Sequence, residues 1–416
     1  MTDPKASQIL VIGAGIIGVT TALRLQSQGH SVRLLDRKGV AAETSRGNAG
    51  AFALSDIEPI ATPGILRKAP GWLLDPLGPL SVPPAYALTI APWMLRFWRA
   101  SWRGNYAAAV DAQSQMMQHA SAALERLITE VSGEAMMRRE GQLQLFESDK
   151  EFRASLPTWA ARKQHGIPFD LLESHHAIAE IQPGLSPRFT HAGFTPSWMN
   201  TTDPERWTQH LAGEFTARGG VIEHAEVLSL RPLENGAEAI TQQGSLRADS
   251  IIVAAGAWSH HLARTLDERI PLETERGYNT TYPTADFDLR THLTFSGHGF
   301  VVSRIGEGLR VGGAVELGGL NLPPNYKRAE ALVKKATEFM PGFAPTGGTQ
   351  WMGFRPSTPD SLPVISRSAV SPHVLYGFGH GHLGLTQSAG TAELLADMIA
   401  HRAPAISLAP FDARRF

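Results

Sequence analysis

No cysteine occurs anywhere in the 416 residues. That absence removes disulfides, thiolate metal sites, thiol nucleophiles and any cofactor tethered through sulfur, and it is compatible with a reducing compartment. The charge balance is also flat, with 38 basic against 39 acidic residues, a formal net charge of −1. Without a basic excess, or a basic block interleaved with aromatics, no nucleic-acid partner is expected. Nor is there an apolar run long enough to cross a bilayer, since Tyr86–Trp98 is short and interrupted by Pro92. The opening residues carry Asp3, and their apolar stretch is only Ile9–Ile12, so they do not read as a signal peptide and a cytoplasmic location is expected. Internal repeats and low-complexity tracts are lacking as well.

What is present starts at residue 9. Ile9-Leu10-Val11-Ile12 runs into Gly13-Ala14-Gly15-Ile16-Ile17-Gly18, a helical pattern, and Val32-Arg33-Leu34-Leu35-Asp36. Strand, glycine-rich turn, helix and a second strand ending in an acid make a dinucleotide-binding βαβ unit. The glycines let the backbone turn tightly and approach a pyrophosphate, whose charge meets the free N–H groups of the helix N-terminus. Asp36, about twenty residues on, is the expected acceptor for a ribose hydroxyl.

Further along, Pro59 to Pro92 is proline-rich and resists one continuous helix. Tyr106–Val131 is strongly helical in pattern, and Gly141–Phe146 alternates like a half-buried strand. A helix over Pro204–Arg218, a strand at Gly219–Glu223 and a strand over Leu246–Ala255 restore a strand-helix-strand order. Between Ile270 and Phe339, segments such as Gly299–Arg304 and Leu309–Gly313 suit an antiparallel sheet that would roof a substrate site. His373–Tyr376 then reads as a strand, and Thr386–His401 as a helix with Leu394, Leu395, Met398 and Ile399 on its apolar side. The expected class is α/β (α+β overall). A Rossmann-like unit is assembled from residues 1–58, 196–268 and 345–416, beside a mixed or antiparallel sheet domain with a helical insertion from 59–195 and 269–344.

Four motifs in this order resemble the D-amino acid oxidase-like superfamily of FAD oxidoreductases, most closely its bacterial D-amino acid dehydrogenase branch. They are the first glycine turn, Glu43-Thr44-Ser45-Arg46-Gly47-Asn48-Ala49-Gly50, Ala255-Gly256-Ala257-Trp258-Ser259, and Tyr376 to Thr386. The resemblance implies non-covalent FAD held by Gly13, Gly15, Ile16, Ile17, Gly18, Asp36, Arg37, Thr44, Ser45, Asn48, Ala49, Gly50, Val227, Ala255, Gly256 and Trp258. The C-terminal loop adds Gly379, His380, Gly381, His382, Leu383, Gly384, Leu385 and Thr386. Its glycines expose backbone N–H groups, and the helix that follows points its positive end at the ring system, a field that favours a reduced flavin.

Trp351 to Pro363 resembles the segment where the family sets an arginine on the substrate carboxylate, and the matching residue is Arg355. Its fork binds a carboxylate bidentately, as a lysine cannot; a structural ion pair is the competing reading. Arg276 and Tyr278, in Glu275-Arg276-Gly277-Tyr278, are further candidates near the substrate roof, with a strand-edge pair as the alternative. His380 and His382 complete the candidate catalytic set. His380-x-His382, His175-His176 and His260-His261 also have the form of metal pairs, but without further ligands nearby no metal is expected.

The implied reaction moves a hydride from the α-carbon of a D-amino acid to FAD, giving an imino acid that water opens to a keto acid when the amine is primary. No side-chain base stands out, and none is needed if the amine has lost its proton to solvent. His382 and Leu385 stand where the D-alanine branch has a small hydroxyl residue and a tryptophan. D-proline and cis-4-hydroxy-D-proline therefore join D-alanine and other neutral D-amino acids as candidate substrates, with His382 a candidate partner for a ring hydroxyl. Alternatives are a glycine or sarcosine oxidase using oxygen, and a regulatory protein that binds FAD without catalysis. The acceptor implied for the dehydrogenases is a quinone or an electron-transfer protein. Pro92–Arg103 mixes aromatics with arginines; it reads either as a helix packed on its own protein or as a peripheral contact with the inner face of the cell membrane.

Overall fold

The computed structural model describes residues 7–65 and 80–416; Asp3 and the prolines Pro70, Pro76 and Pro79 lie outside them. The first strand, Gln8–Ile12, is buried at every position after Gln8, as a central strand covered on both faces must be. It pairs in parallel with Ser31–Asp36 on one side and Ser250–Val253 on the other. The complete sheet runs Val221–His224, Ser31–Asp36, Gln8–Ile12, Ser250–Val253, Val374–Phe378 and Val364–Arg367, all parallel except the last. Its strands come from three distant parts of the chain, in keeping with the expected Rossmann-like assembly.

Helices Ile16–Ser27, Pro204–Ala217 and Gly384–Ile399 cover one face, joined there by the long helix Arg103–Glu130. Val19, Leu23, Met116, Leu124, Trp207, Leu211, Leu394 and Leu395 fill the space between them. Asp203 caps the second of these helices by accepting the backbone N–H groups of Glu205 and Arg206, with Pro204 at its first position. The other face is covered by a three-stranded antiparallel sheet, Val227–Leu233, Gly236–Thr241 and Gly244–Ala248. Leu246–Ala255 is thus not one strand. It breaks near Asp249, which accepts the Gln8 N–H at 2.8 Å, and its two halves belong to different sheets.

The second large sheet is mixed, with nine strands among the described residues. Thr349–Ser357, Glu273–Tyr282, Gly308–Glu316, Phe300–Ile305 and His292–Phe295 form its antiparallel part. His292–Phe295 then runs parallel to Gln142–Phe146. The latter is buried on both faces, with Leu143 and Leu145 in an aromatic-rich core and Phe146 against Phe152, so its alternation does not mark a solvent-facing side. The interval before Phe339 also contains a helix, Lys327–Phe339, whose Leu332 and Ala336 pack on this sheet. The Thr349–Ser357 strand, beyond the expected division at 345, is hydrogen-bonded along its length to Glu273–Tyr282. Two chain segments far apart in sequence therefore set the wall facing the first domain.

Candidate active site

A cavity of about 320 Å³ opens at the carboxyl ends of the parallel strands, where Ile12, Asp36, Ala254 and Phe378 lie on its wall. Gly13 has φ +107° and a Cβ there would stand 2.4 Å from the Ala254 carbonyl oxygen. At Gly18 the clash would be with the Gly13 carbonyl oxygen at 1.7 Å. These two glycines let the helix and strands close on each other, and Gly18 does not line the cavity. Gly15 does, with only Ser45 Oγ, at 3.2 Å, near its missing side chain. Ser45 Oγ also accepts the Ile16 N–H at 2.9 Å, capping a helix whose own N-cap residue offers no side chain.

Asp36 accepts the N–H groups of Ala14 at 2.8 Å, Lys38 at 2.7 Å and Gly39 at 2.8 Å. A carboxylate has about four acceptor sites, so one is left for a hydroxyl in the cavity. Beside it the Arg37 guanidinium stacks 4.0 Å from the Trp258 ring centroid and pairs with Glu43 at 3.0 Å. Val227, Ala255, Gly256 and Ile17 complete this end. His261 lies here too, its ring 4.1 Å from that of His260. Burial lowers the pKa of both, that of His260 to about 4. Among the described residues no three His, Asp or Glu side chains gather as metal ligands.

The Glu43–Gly50 loop is held by the second sheet. Thr44 Oγ1 donates to the Phe354 carbonyl at 2.7 Å, and Asn279 Nδ2 to the Gly47 carbonyl at 2.9 Å. Arg310 donates to the carbonyls of Arg46 and Asn48. Any side chain on Gly47 would strike the Trp351 ring, 2.1 Å away. Thr44, Ser45 and Asn48 face the cavity; Ala49 and Gly50 do not, and Gly50 instead turns the chain with φ +77°.

In the C-terminal loop His380, Gly381, Gly384 and Leu385 line the cavity, below the N-terminus of the Gly384–Ile399 helix. Gly379, Leu383 and Thr386 stand behind: Thr386 Oγ1 accepts the Ala53 N–H at 3.0 Å, and Leu383 packs with Ile57, Met117 and Trp198. His380 is buried, its Nε2 lies 2.9 Å from Thr391 Oγ1, and burial pushes its pKa down to about 3. It is a neutral ring held to the Gly384–Ile399 helix through Thr391. His382 is not on the cavity wall; its Nε2 meets Asp56 Oδ2 at 3.2 Å, at the rim of a polar cluster.

That cluster contains residues the motifs did not pick out. Burial acts to raise the Asp56 carboxyl, yet His382 and Arg162 together hold it below the ordinary range. Glu58, which accepts from Tyr106 at 3.1 Å, is raised by burial. Arg162 is buried over Trp159 with Nε and Nη1 unpartnered. The available signal was Ser55-Asp56-Ile57-Glu58, two acids in a largely apolar stretch just after the second motif.

Arg355 lies in the Thr349–Ser357 strand opposite Glu275, so both share a sheet face with Gly277. Its Nη2 sits 2.4 Å from where a Gly277 Cβ would be, so the bare glycine makes room for the guanidinium. Nη1 donates to the Ala314 carbonyl at 3.2 Å. That carbonyl is turned by a bulge: between the pairs Arg276–Glu316 and Tyr278–Gly313 one strand carries an extra residue, and Ala314 has φ +56°. Among the described residues no carboxylate lies within ion-pair distance of Arg355, so the structural ion pair is not formed. Burial lowers its pKa and the charge of Glu275 opposes that.

Arg276 and Tyr278 alternate onto the opposite face and do not join Arg355. Arg276 is fully buried, 3.1 Å from Glu316, and donates to the Leu322 carbonyl; the Tyr278 hydroxyl donates to Glu316 and accepts the Asn325 N–H. Their strand lies inside the sheet, so they form a buried structural network and not a strand-edge pair.

A glycine-lined approach, a helix N-terminus, an acid with one free acceptor site and a second helix dipole at the far end together suit a dinucleotide with an aromatic ring system. The model of the FAD dependent oxidoreductase family matches residues 8–398. The chain belongs to that family. A D-amino-acid oxidase of Bradyrhizobium diazoefficiens is 33% identical over 99% of this chain and 100% of its own length. A D-amino acid dehydrogenase of Allorhizobium ampelinum is 31% identical over 98% of each. Among solved structures, glycine oxidase from Geobacillus kaustophilus superposes with a TM-score of 0.79 at 18% identity over 99% of both chains, a likeness of fold. The protein is an FAD-dependent oxidoreductase acting on amino acids.

Proposed function

We propose that this enzyme oxidises D-amino acids, with Arg355 as the carboxylate anchor. The observation that carries the reading is a half-buried guanidinium on the sheet face, bonded to the Ala314 carbonyl and, among the described residues, without a carboxylate at ion-pair distance. Such a cation gains from an incoming carboxylate, because part of its desolvation cost is already met by the fold. FAD, when bound, supplies the acceptor for the hydride leaving the α-carbon. The chain's part is to fix the carboxylate, and with it the face of the α-carbon presented, and to keep water out. The amine enters having given its proton to solvent, and the imino acid leaves. The relatives named for D-amino acids support the stereochemistry.

The finer reading is a cyclic secondary amine, D-proline or cis-4-hydroxy-D-proline, oxidised with a quinone or electron-transfer protein as acceptor. It rests on the loop: Leu385 on the cavity wall occupies less space than a tryptophan would, and Asp56 fixes the His382 ring one residue beyond cavity-lining Gly381. The test is anaerobic mixing of the holoenzyme with a panel of D- and L-amino acids, including both prolines, while flavin absorbance is followed. Bleaching by D-isomers, fastest with the hydroxyproline, is expected. Bleaching by glycine or sarcosine alone would move the enzyme to the amine-oxidase reading, and no bleaching by any member would favour a non-catalytic role.

A further inference from the structure

The helix Ala87–Ala100 has two apolar faces, of which one is packed among the described residues. Ile90, Trp93 and Phe97 are buried and pack against Ala61, Ile65 and Leu317, which meets the expectation of a helix packed on its own protein. No hydrophobic cluster among the described residues takes in the large side chains of the other face. Leu88 is 91% exposed, Leu95 56%, Trp98 36%, and Trp102, just past the helix end, 50%. With Ala91 these positions recur at spacings of three and four, a continuous stripe on the outer side of the helix. The Trp98 and Trp102 rings meet edge to face at 5.4 Å, forming one broad aromatic tip. Four large apolar side chains in one exposed row are more than scattered surface hydrophobics and mark a contact surface.

The charge beside the stripe is of one sign. Arg96, Arg99 and Arg103 are all exposed, and among the described residues none has a carboxylate within ion-pair distance. The sequence contains no aspartate or glutamate between Asp75 and Asp111, although acids match bases over the whole chain. A helix of this length spans about 21 Å at 1.5 Å per residue, and its arginines bar it from crossing a bilayer. Among the described residues no helix is long and apolar enough to do so. A short helix with tryptophan and leucine on one side and arginines alongside is the pattern that lies in the plane of a lipid interface.

We propose that the outer face of the Ala87–Ala100 helix docks this enzyme on an anionic lipid surface, with Leu88, Leu95, Trp98 and Trp102 entering the interface and Arg96, Arg99 and Arg103 meeting lipid phosphates. The charge complementarity selects a lipid surface over a second copy of the chain, because two copies would bring six uncompensated arginines together. The assignment does not depend on which amino acid is oxidised.

The test is co-sedimentation of the full-length holoenzyme with vesicles of phosphatidylcholine alone or mixed with phosphatidylglycerol, with light scattering of the lipid-free protein. Binding to the mixed vesicles is expected, at least about tenfold weaker on phosphatidylcholine alone or in high salt. Leu88→Glu with Leu95→Glu should remove it while flavin content and turnover with a soluble dye stay as in wild type. Arg96→Gln with Arg99→Gln and Arg103→Gln should lower binding to the level seen on neutral lipid, which separates the charge contribution from the apolar one. Absence of binding to the mixed vesicles, wild-type binding retained by either variant, or a wild-type dimer that Leu88→Glu with Leu95→Glu makes monomeric would each overturn the assignment.

Discussion

The two sheets contribute to the site by different means. At the six-stranded sheet the contact surface lies at the ends of strands, in short stretches: Gly13 and Gly15–Ile17, Asp36–Arg37, and Gly377, Gly381 and Gly384. At the nine-stranded sheet it is side chains that meet only through strand register, as when Arg355 lies over Gly277 and bonds Ala314. The first kind of site tolerates no added atoms; the second depends on pairing between residues dozens of positions apart. Loss of a cofactor and loss of substrate affinity should therefore be separable by mutation.

Within the first region, Gly18 and Gly15 should fail in different ways. Gly18→Ala forces a Cβ to 1.7 Å from the Gly13 carbonyl oxygen, and a loss of about 3 kcal/mol or more in chemical denaturation is expected. Gly15→Val meets only the movable Ser45 hydroxyl, so the apoprotein should fold with near-native circular dichroism yet retain no flavin after desalting. Equal behaviour of the two variants would erase the distinction between packing glycine and ligand-facing glycine.

In the second region, Glu316→Gln leaves Arg276 buried without its countercharge. A cost of about 3 kcal/mol in unfolding experiments is expected, with KM for the amino acid changed little because the pair faces away from Arg355. A large rise in KM with unchanged stability would return Arg276 to the substrate site. A smaller effect is expected at His382, where Ala should reduce the preference for cis-4-hydroxy-D-proline over D-proline by several-fold, the worth of one hydrogen bond at about 0.5–1.5 kcal/mol. An equal slowing of both prolines would remove the hydroxyl-reading role. The smallest effect belongs to Ala314→Gly. Glycine adopts φ +56° without strain, so stability should stay the same or rise by up to about 1 kcal/mol, with kcat/KM held. Deleting residue 314 should straighten the bulge, withdraw the carbonyl from Arg355 and raise KM more than it lowers kcat.

The first region was legible because its chemistry is local. A glycine turn between a strand and a helix means the same thing wherever it occurs, and Gly13, Gly15, Asp36, Ser45 and Gly381 all lie on the cavity wall. Even there, sequence could not separate Gly18 and Gly379, which serve packing, from the glycines that line the cavity. In the second region Arg355 is readable as a candidate only through its motif, and Arg276 and Tyr278 only through the resemblance of the Glu275–Tyr278 segment to one near the substrate roof. Strand alternation sends them to the other face, and that follows only once the pairing of Glu275 with Arg355 is known. The Ala314 bulge left no trace, since alanine carries no sign of a positive φ. Asp56 and Arg162 were missed for a similar reason: their relation is made by packing between the segment after Gly50 and a helix a hundred residues later.

The central claim, that one register-placed guanidinium anchors the substrate independently of the cofactor site, is tested most directly by titrating wild type and Arg355→Lys with benzoate, a carboxylate that cannot be oxidised, and following the flavin spectrum. Wild type should show a saturable spectral shift. The lysine variant should keep a full complement of flavin and bind roughly 100-fold more weakly, about what losing one bidentate charge-assisted pair costs. Equal affinity in the two proteins would contradict the account.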